Sequence, residues 1–259
     1  MSRGVRTGLS GLADLLLPEV CGTCGARPVA ADGLCDDCNL ALLSLVALPF
    51  CPRCGQTLGP NVPVRNDGCA GCDRTLARPE RLFRLGPYTD PLRRAIRDLK
   101  YRRRQRLRGR LAGLLAQRVL ADWTGEPFDV VLPVPMHWLR RLQRGFDHAR
   151  AIAGRVAGEM GVPLGADLVR KRNTPPQTHL PRSRRVENVR GAFAVRSPLA
   201  VRGANVLLVD DVTTTGATVD EATGALLAAG CHHVAVAVLA KAEPPTAYAH
   251  QLRLTADEP

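Results

Sequence analysis

Residues Val206 to Thr218, VLLVDDVTTTGAT, set two adjacent aspartates and four threonines directly behind four apolar residues. The run Val206 to Val209 predicts a buried parallel strand, with a helix following from about Val219. Charges at the end of such a strand are unfavourable unless something compensates them. A capped helix would need one Asp or Thr as its N-cap, whereas Asp210, Asp211, Thr213, Thr214, Thr215 and Thr218 all stand here, with Gly216 freeing the backbone among them. The excess suits a sugar phosphate. A strand-to-helix loop presents backbone N–H groups and the positive end of a helix dipole to a phosphate monoester, and threonine hydroxyls add donors. Two carboxylates just before it can accept hydrogen bonds from a vicinal diol, so a ribose 5-phosphate matches both halves of the motif.

Other phosphate loops fit less well: the stretch lacks the lysine of GxxxxGK[ST], and no GxGxxG follows a strand. The segment Asp210, Asp211, Val212, Thr213, Thr214, Thr215, Gly216, Ala217, Thr218 instead resembles the phosphoribosyl pyrophosphate (PRPP) signature of type I phosphoribosyltransferases at all its key positions.

A second set of chemistry-bearing residues lies near the N-terminus. Eight of the nine cysteines fall in four CxxC pairs, Cys21/Cys24, Cys35/Cys38, Cys51/Cys54 and Cys69/Cys72. Paired thiolates at this spacing form zinc knuckles, and two knuckles complete a tetrahedral four-cysteine site, so four pairs imply two structural Zn²⁺. Disulfides belong to secreted chains, and redox CxxC pairs open a helix in a thioredoxin-like unit rather than recurring four times. CGTCG and CPRCG carry glycine after the second cysteine, and the other pairs carry Asn39 and Asp73, which also tolerate a left-handed backbone. Each glycine knuckle precedes one Asn/Asp knuckle, so sequential pairing is the simplest arrangement. Cys231 reads as a core thiol beside the run Val234 to Ala240.

The elements that must position these groups can be sketched from periodicity. Arg81 to Tyr88 reads as a strand. Asp90 caps a helix beginning PLRRAIRDLKY, whose apolar side is Leu92, Ile96, Leu99, Leu107 and Leu111. Lys100, Arg102, Arg103, Arg104, Arg106 and Arg108, with Arg93, Arg94, Arg97 and Arg110, crowd its other side. That one-signed face is either solvated or a nucleic-acid contact. Val130 to Pro135 is a second buried strand, followed by a helix to about Met160 with Leu139, Leu142, Phe146, Ala149, Ile152, Val156 and Met160 at helical spacing. Residues 168–193 are too polar and proline-rich for a core element and long enough for a lid. A βαβ unit, Val206 to Ala240, completes an α/β domain with a mainly parallel sheet flanked by helices, and the acidic motif falls at the carboxyl end of a strand, where such sheets bind ligands.

The chain has 259 residues, a formal charge of +12 and a pI near 9.9. That length accommodates one ordinary domain and a small appendage. The charge suggests a polyanionic partner, although arginine dominates as in GC-rich genomes. No apolar run approaches the roughly 20 residues of a membrane span. Asp14 interrupts the short run after Arg3 and Arg6, and Val5, Leu9, Leu12 and Leu16 share a helical face, so the N-terminus reads as an amphipathic helix of a cytoplasmic protein rather than a signal peptide.

Taken with the CxxC pairs, the stretches LKYRRRQRL, PVPMHWLRRLQRGFDHA, RNTPPQTHLPRSRRVENVRGAF and LVDDVTTTGAT are similar to those of the ComF family of competence proteins over roughly the whole chain. The resemblance implies an N-terminal helix and double zinc ribbon over 1–80, a phosphoribosyltransferase-like domain over 81–243 and a tail over 244–259. It implies a role in DNA uptake during natural transformation, with PRPP or ribose 5-phosphate and Mg²⁺ as ligands, and single-stranded DNA and a DNA-uptake helicase as partners. By motif, Asp210 and Asp211 would hold the ribose diol, and Thr213, Thr214, Thr215, Gly216 and Thr218 the 5-phosphate. Pro135, Met136 and His137 would meet pyrophosphate. Arg172, Gln177, Arg182, Arg185 and Asn188 would belong to a lid, with Arg144 a further anion contact. The alternative is an active Mg²⁺-dependent phosphoribosyltransferase of nucleotide salvage or synthesis with an unassigned acceptor. Glutamine-dependent chemistry is set aside because the early cysteines are committed to knuckles.

Overall fold

The computed structural model describes residues 20–25, 33–59, 62–63, 68–72, 79–101, 105–137, 146–174, 181 and 184–243. The expected N-terminal helix, the tail and Asp73 lie outside them.

A four-stranded, all-parallel sheet organises the chain, in the order β1 (Arg81–Pro87), β6 (His233–Lys241), β5 (Asn205–Thr213), β2 (Val130–Pro133). The apolar runs of β5 and β6 are continuous because both faces of the sheet are covered. Leu207, Val209, Ala235, Ala237 and Leu239 face one core, which α2 (Leu92–Tyr101), α3 (Gln105–Asp122) and α4 (His148–Met160) close. Val206, Leu208, Val234, Val236 and Val238 face the other, against α6 (Ala217–Ala228) and the pieces of the 168–195 segment.

That segment differs from the sequence expectation. It contains β3 (Leu168–Arg170), α5 (Arg184–Val189) and β4 (Phe193–Val195), with β3 and β4 paired antiparallel. Leu168, Val189, Ala192 and Phe193 are buried, so its two ends belong to the core. Three-residue strands are too short to show a period of two. The helix expected to run through Phe146 begins at His148, where the Asp147 side chain accepts the Arg150 N–H at 3.0 Å. Phe146 precedes that cap and is exposed; Leu139 and Leu142 lie outside the described residues. The basic helix is present as α2 and α3 on either side of residues 102–104, and its five predicted apolar positions are all buried. Asp90 stands just before α2, where the Arg93 N–H bonds the Thr89 carbonyl at 2.7 Å, and its carboxylate pairs with the Arg93 and Arg94 side chains at 2.9 and 2.8 Å. Those two guanidiniums hold the Asp90 carboxyl below its usual range.

The cysteine-bearing region packs on the β1 edge of the sheet. The Leu82 N–H donates to the Pro52 carbonyl at 2.7 Å, so the CPRC turn covers an edge that would otherwise be open. Helix α1 (Asp36–Ala47) buries Leu42 and Leu45 against the same body. Gly86 of β1 allows a close approach there, since a Cβ at that position would sit 3.1 Å from Leu45 Cβ, tighter than ordinary van der Waals contact. Among the described residues no helix is long and apolar enough to cross a membrane.

Candidate functional site

Two sites emerge. The first is at the carboxyl end of the sheet. β5 is longer than the apolar run that announced it, because Asp210, Asp211, Val212 and Thr213 continue the strand: Asp210, Val212 and Thr213 stay in register with Val238, Ala240 and Lys241 of β6. The aspartates are therefore strand residues, half-buried at the centre of the sheet's end. Asp210 Oδ1 accepts the Asp211 N–H at 2.8 Å, and Asp211 Oδ1 accepts the Val212 N–H at 2.7 Å. Each carboxylate thus has one oxygen oriented by the backbone.

The turn that follows is built for its backbone. Gly216 is the N-cap of α6 at φ 95°, with no side-chain cap, and the Asp220 N–H bonds the Gly216 carbonyl at 2.9 Å. Thr215 Oγ1 accepts the Ala217 N–H at 3.3 Å. Because the N-cap is itself a glycine with no side-chain bond, N-capping does not explain the threonine run. A Cβ at Gly216 would meet nothing within 4 Å, so glycine is needed for its left-handed dihedral rather than for space. Gly216→Ala is expected to destabilise the fold by about 1–2 kcal/mol, the cost of a left-handed L-residue, read as a lower urea midpoint at unchanged slope.

The register brings a second loop alongside. β2 pairs with β5 up to Pro133 opposite Val209, and the Val134 N–H donates to the Val209 carbonyl at 2.8 Å. Pro135, Met136 and buried His137 therefore leave the sheet beside Asp210. The stretch ending in β4 meets α6 near its start, where the Gly191 N–H donates to Glu221 at 2.7 Å. Arg185 and Asn188 are half-buried on α5, and exposed Arg172 donates to the Arg190 carbonyl. Arg144, Gln177 and Arg182 lie outside the described residues.

One residue at this site was not anticipated. Lys241, buried at the end of β6, donates from Nζ to the Thr214 carbonyl of the loop. It follows directly on the run Val234 to Ala240, where the expected strand ends, and gave no sequence signal of its own.

The second site is the cysteine region, where the tetrads are Cys21, Cys24, Cys35, Cys38 and Cys51, Cys54, Cys69, Cys72, each with its sulfurs within 4.8 Å of one another. Pairing is sequential. Zn–S bonds near 2.3 Å require tetrahedral sulfur–sulfur edges of about 3.8 Å. The observed separations are 3.9 Å for Cys24–Cys35, 3.5 Å for Cys51–Cys72, 3.7 Å for Cys54–Cys69 and 3.8 Å for Cys69–Cys72. Donor type, number and spacing all fit structural zinc. Acid–base chemistry agrees: a hydrogen bond from Cys54 draws Cys51 down to about 4, while the same contact pushes Cys54 well above the usual thiol range. Four sulfurs this close cannot all ionise without a cation between them.

Gly25 and Gly55 follow their pairs at φ 72° and 75°, donating to the Cys21 and Cys51 carbonyls at 2.9 and 2.8 Å, as knuckles require. Asn39 does not behave as expected. Cys35 is the N-cap of α1, so Cys35–Cys38 forms a first helical turn and Asn39 is helical. Its Oδ1 instead accepts from Arg110 of α3 at 2.9 Å, joining the tetrad to the basic helix.

The basic face is less uniform than its sequence. Arg93 and Arg94 pair with Asp90, Arg110 reaches Asn39, and Arg108 lies 4.8 Å over the exposed Phe146 ring. Burial, then the nearby Arg155, lowers the Arg108 pKa. Arg106 is half-buried and Arg97 exposed; Lys100 falls in α2, and Arg102, Arg103 and Arg104 lie outside the described residues.

A phosphoribosyl transferase domain model matches residues 110–252, and a double zinc ribbon domain model matches residues 12–73. Parallel sheet, acidic strand end and paired tetrads define a phosphoribosyltransferase-type domain carrying a double zinc ribbon. The DNA utilization protein YhgH of Salmonella typhi is 34% identical over 232 residues, covering 86% of this chain and 96% of its own. Competence protein F of Haemophilus influenzae is 26% identical over 223 residues, covering 84% and 94%. This chain belongs to the ComF family. Among solved structures, the glutamine PRPP amidotransferase from B. subtilis complexed with ADP and GMP aligns with 50% of this chain and 25% of its own, at 27% identity and a TM-score of 0.34.

Proposed function

We propose that the chain binds PRPP or ribose 5-phosphate at Asp210 to Thr218 and serves DNA uptake, with single-stranded DNA as its macromolecular ligand. The observation that carries the ligand is the joint placement of two backbone-oriented carboxylates and a glycine-capped helix start at the centre of the sheet's carboxyl end. Asp210 and Asp211 accept hydrogen bonds from the ribose 2,3-diol. Thr213 to Thr218 surround the 5-phosphate, which the helix start favours electrostatically. Pro135, Met136 and His137 would meet the diphosphate of PRPP, whose charge Mg²⁺ would neutralise. Arginines of the 172–190 segment, Arg185 among them, close over it and exclude water.

The test is calorimetry with ribose 5-phosphate. Asp210→Ala with Asp211→Ala removes the diol acceptors, and lost hydrogen bonds to charged groups cost about 1.5–3 kcal/mol each, so affinity should fall at least roughly tenfold. Equal affinity in both proteins refutes the assignment. Release of pyrophosphate from PRPP in the presence of one nucleobase would favour the reading as a phosphoribosyltransferase, which the complete loop motif supports.

The names of the relatives, DNA utilization protein and competence protein, support the nucleic-acid role. Aromatic residues are 4% of the chain, so base stacking contributes little and binding is chiefly electrostatic. Each phosphate neutralised on a single strand contributes about −0.7 to the slope of log K against log salt. Replacing Arg102, Arg103 and Arg104 with Ala should flatten that slope by about 2 if all three meet phosphates. An unchanged slope shows that these arginines touch no DNA.

A further inference from the structure

The end of β6 touches both sites. Lys241 is fixed in place there: its carbonyl accepts the Tyr88 N–H at 2.8 Å, and the next N–H, of Ala242, donates to the Thr213 carbonyl at 2.8 Å. From this anchored backbone the buried Nζ reaches the Thr214 carbonyl inside the phosphate loop. Two residues on, Glu243 turns the other way. Its Oε2 accepts the Thr57 N–H at 2.9 Å, and its Oε1 accepts the Thr57 hydroxyl at 2.6 Å and Arg84 at 3.0 Å. Arg84 also donates to Thr57 Oγ1 at 2.7 Å. The Arg84 and Glu243 side chains are 0% and 2% exposed. Thr57 in turn belongs to the frame of the second tetrad, where it bridges Phe50 while the Cys51 N–H bonds the Gln56 carbonyl at 2.9 Å.

We infer that Lys241 is a positioning residue for the phosphate loop, tied through the Glu243–Thr57–Arg84 cluster to the second cysteine tetrad. Metal binding at Cys51, Cys54, Cys69 and Cys72 and ligand binding at Asp210 to Thr218 then strengthen one another. A buried polar cluster this closely bonded holds together as a unit, so loosening the frame around Thr57 also releases the β6 end that carries Lys241. The coupling is reciprocal: whatever factor the metal adds to ligand affinity, the ligand adds to metal affinity. This inference rests on the phosphoribosyl reading of the loop.

The experiment uses the full zinc-loaded chain, with zinc release to a coloured chelator followed in the absence and presence of saturating ribose 5-phosphate. In the wild type, release from one of the two centres should slow about fivefold or more with ligand bound, while the other is unaffected. Thr57→Val keeps the Arg84–Glu243 charge pair but removes the bridging hydroxyl; it should abolish the protection and weaken ribose 5-phosphate. Lys241→Met should weaken ribose 5-phosphate while leaving ligand-free zinc release unchanged, which a purely structural lysine would not do. Zinc release indifferent to bound ligand in the wild type overturns the coupling. Should ribose 5-phosphate not bind the wild type at all, the loop assignment fails, and the coupling is read instead from amide hydrogen exchange at Thr214 to Gly216. Exchange there should accelerate in Cys69→Ser and in Thr57→Val; unchanged exchange in both overturns the coupling too.

Discussion

Cys54→Ser is expected to leave the protein with one zinc ion instead of two and with its second ribbon unfolded. A closed four-cysteine site contributes about 10–16 kcal/mol in small zinc peptides, far more than the few buried apolar side chains of residues 51–72 can replace. Among the described residues of that stretch, Cys51, Pro52 and Leu58 are the buried apolar ones. The damage should spread to β1, because Pro52 accepts the Leu82 N–H and Gly55 lies so close to Leu82 that a Cβ would be 2.6 Å from its Cδ2. Native mass spectrometry gives the zinc count, and amide exchange of β1 gives the spread. Two retained zinc ions would contradict the tetrad assignment.

The second large effect is expected at Glu243. Replacing it with Ala leaves Arg84 fully buried with its charge partner removed, and breaking a buried pair from one side costs about 3–5 kcal/mol. Burial already lowers Arg84 to about 10, with Glu243 opposing that shift, so without Glu243 the guanidinium keeps, among the described residues, the Thr57 Oγ1 hydrogen bond, the Phe50 ring 5.3 Å away and the weaker charge interaction with Cys54. Arg84→Met combined with Glu243→Leu removes both charges and should recover much of the loss, as apolar replacements of buried ion pairs do. Denaturant midpoints of the single and double variants measure this. A Glu243→Ala loss below about 1 kcal/mol would show that the pair is not buried in solution.

The sheet was legible because buried parallel strands write themselves as unbroken apolar runs: VLLV and VAVAVLA leave little else to predict. The extension of β5 through Asp210 to Thr213 was not, since a polar strand end looks like the loop it precedes. The tetrads were readable from spacing alone, but Asn39 was not, because asparagine accepts both the left-handed turn and the helical conformation it adopts. The lid segment hid three short elements whose buried residues, such as Val189 and Phe193, are too few to set a period. Least legible was the contact between Arg84 and Glu243, which are 159 residues apart. No local pattern encodes such a pair, and Glu243 sits where the sequence turns to a proline-rich tail.

The central claim is that the loop after β5 is a phosphoribosyl site, and an amide NMR titration tests it most directly. Adding ribose 5-phosphate to labelled protein should shift the N–H signals of Val212 to Thr218 in a saturable way, with smaller shifts at Met136 and His137, and ribose lacking the phosphate should shift them far less. Saturable shifts that leave Val212 to Thr218 untouched, or no shifts at millimolar ribose 5-phosphate, would contradict the account.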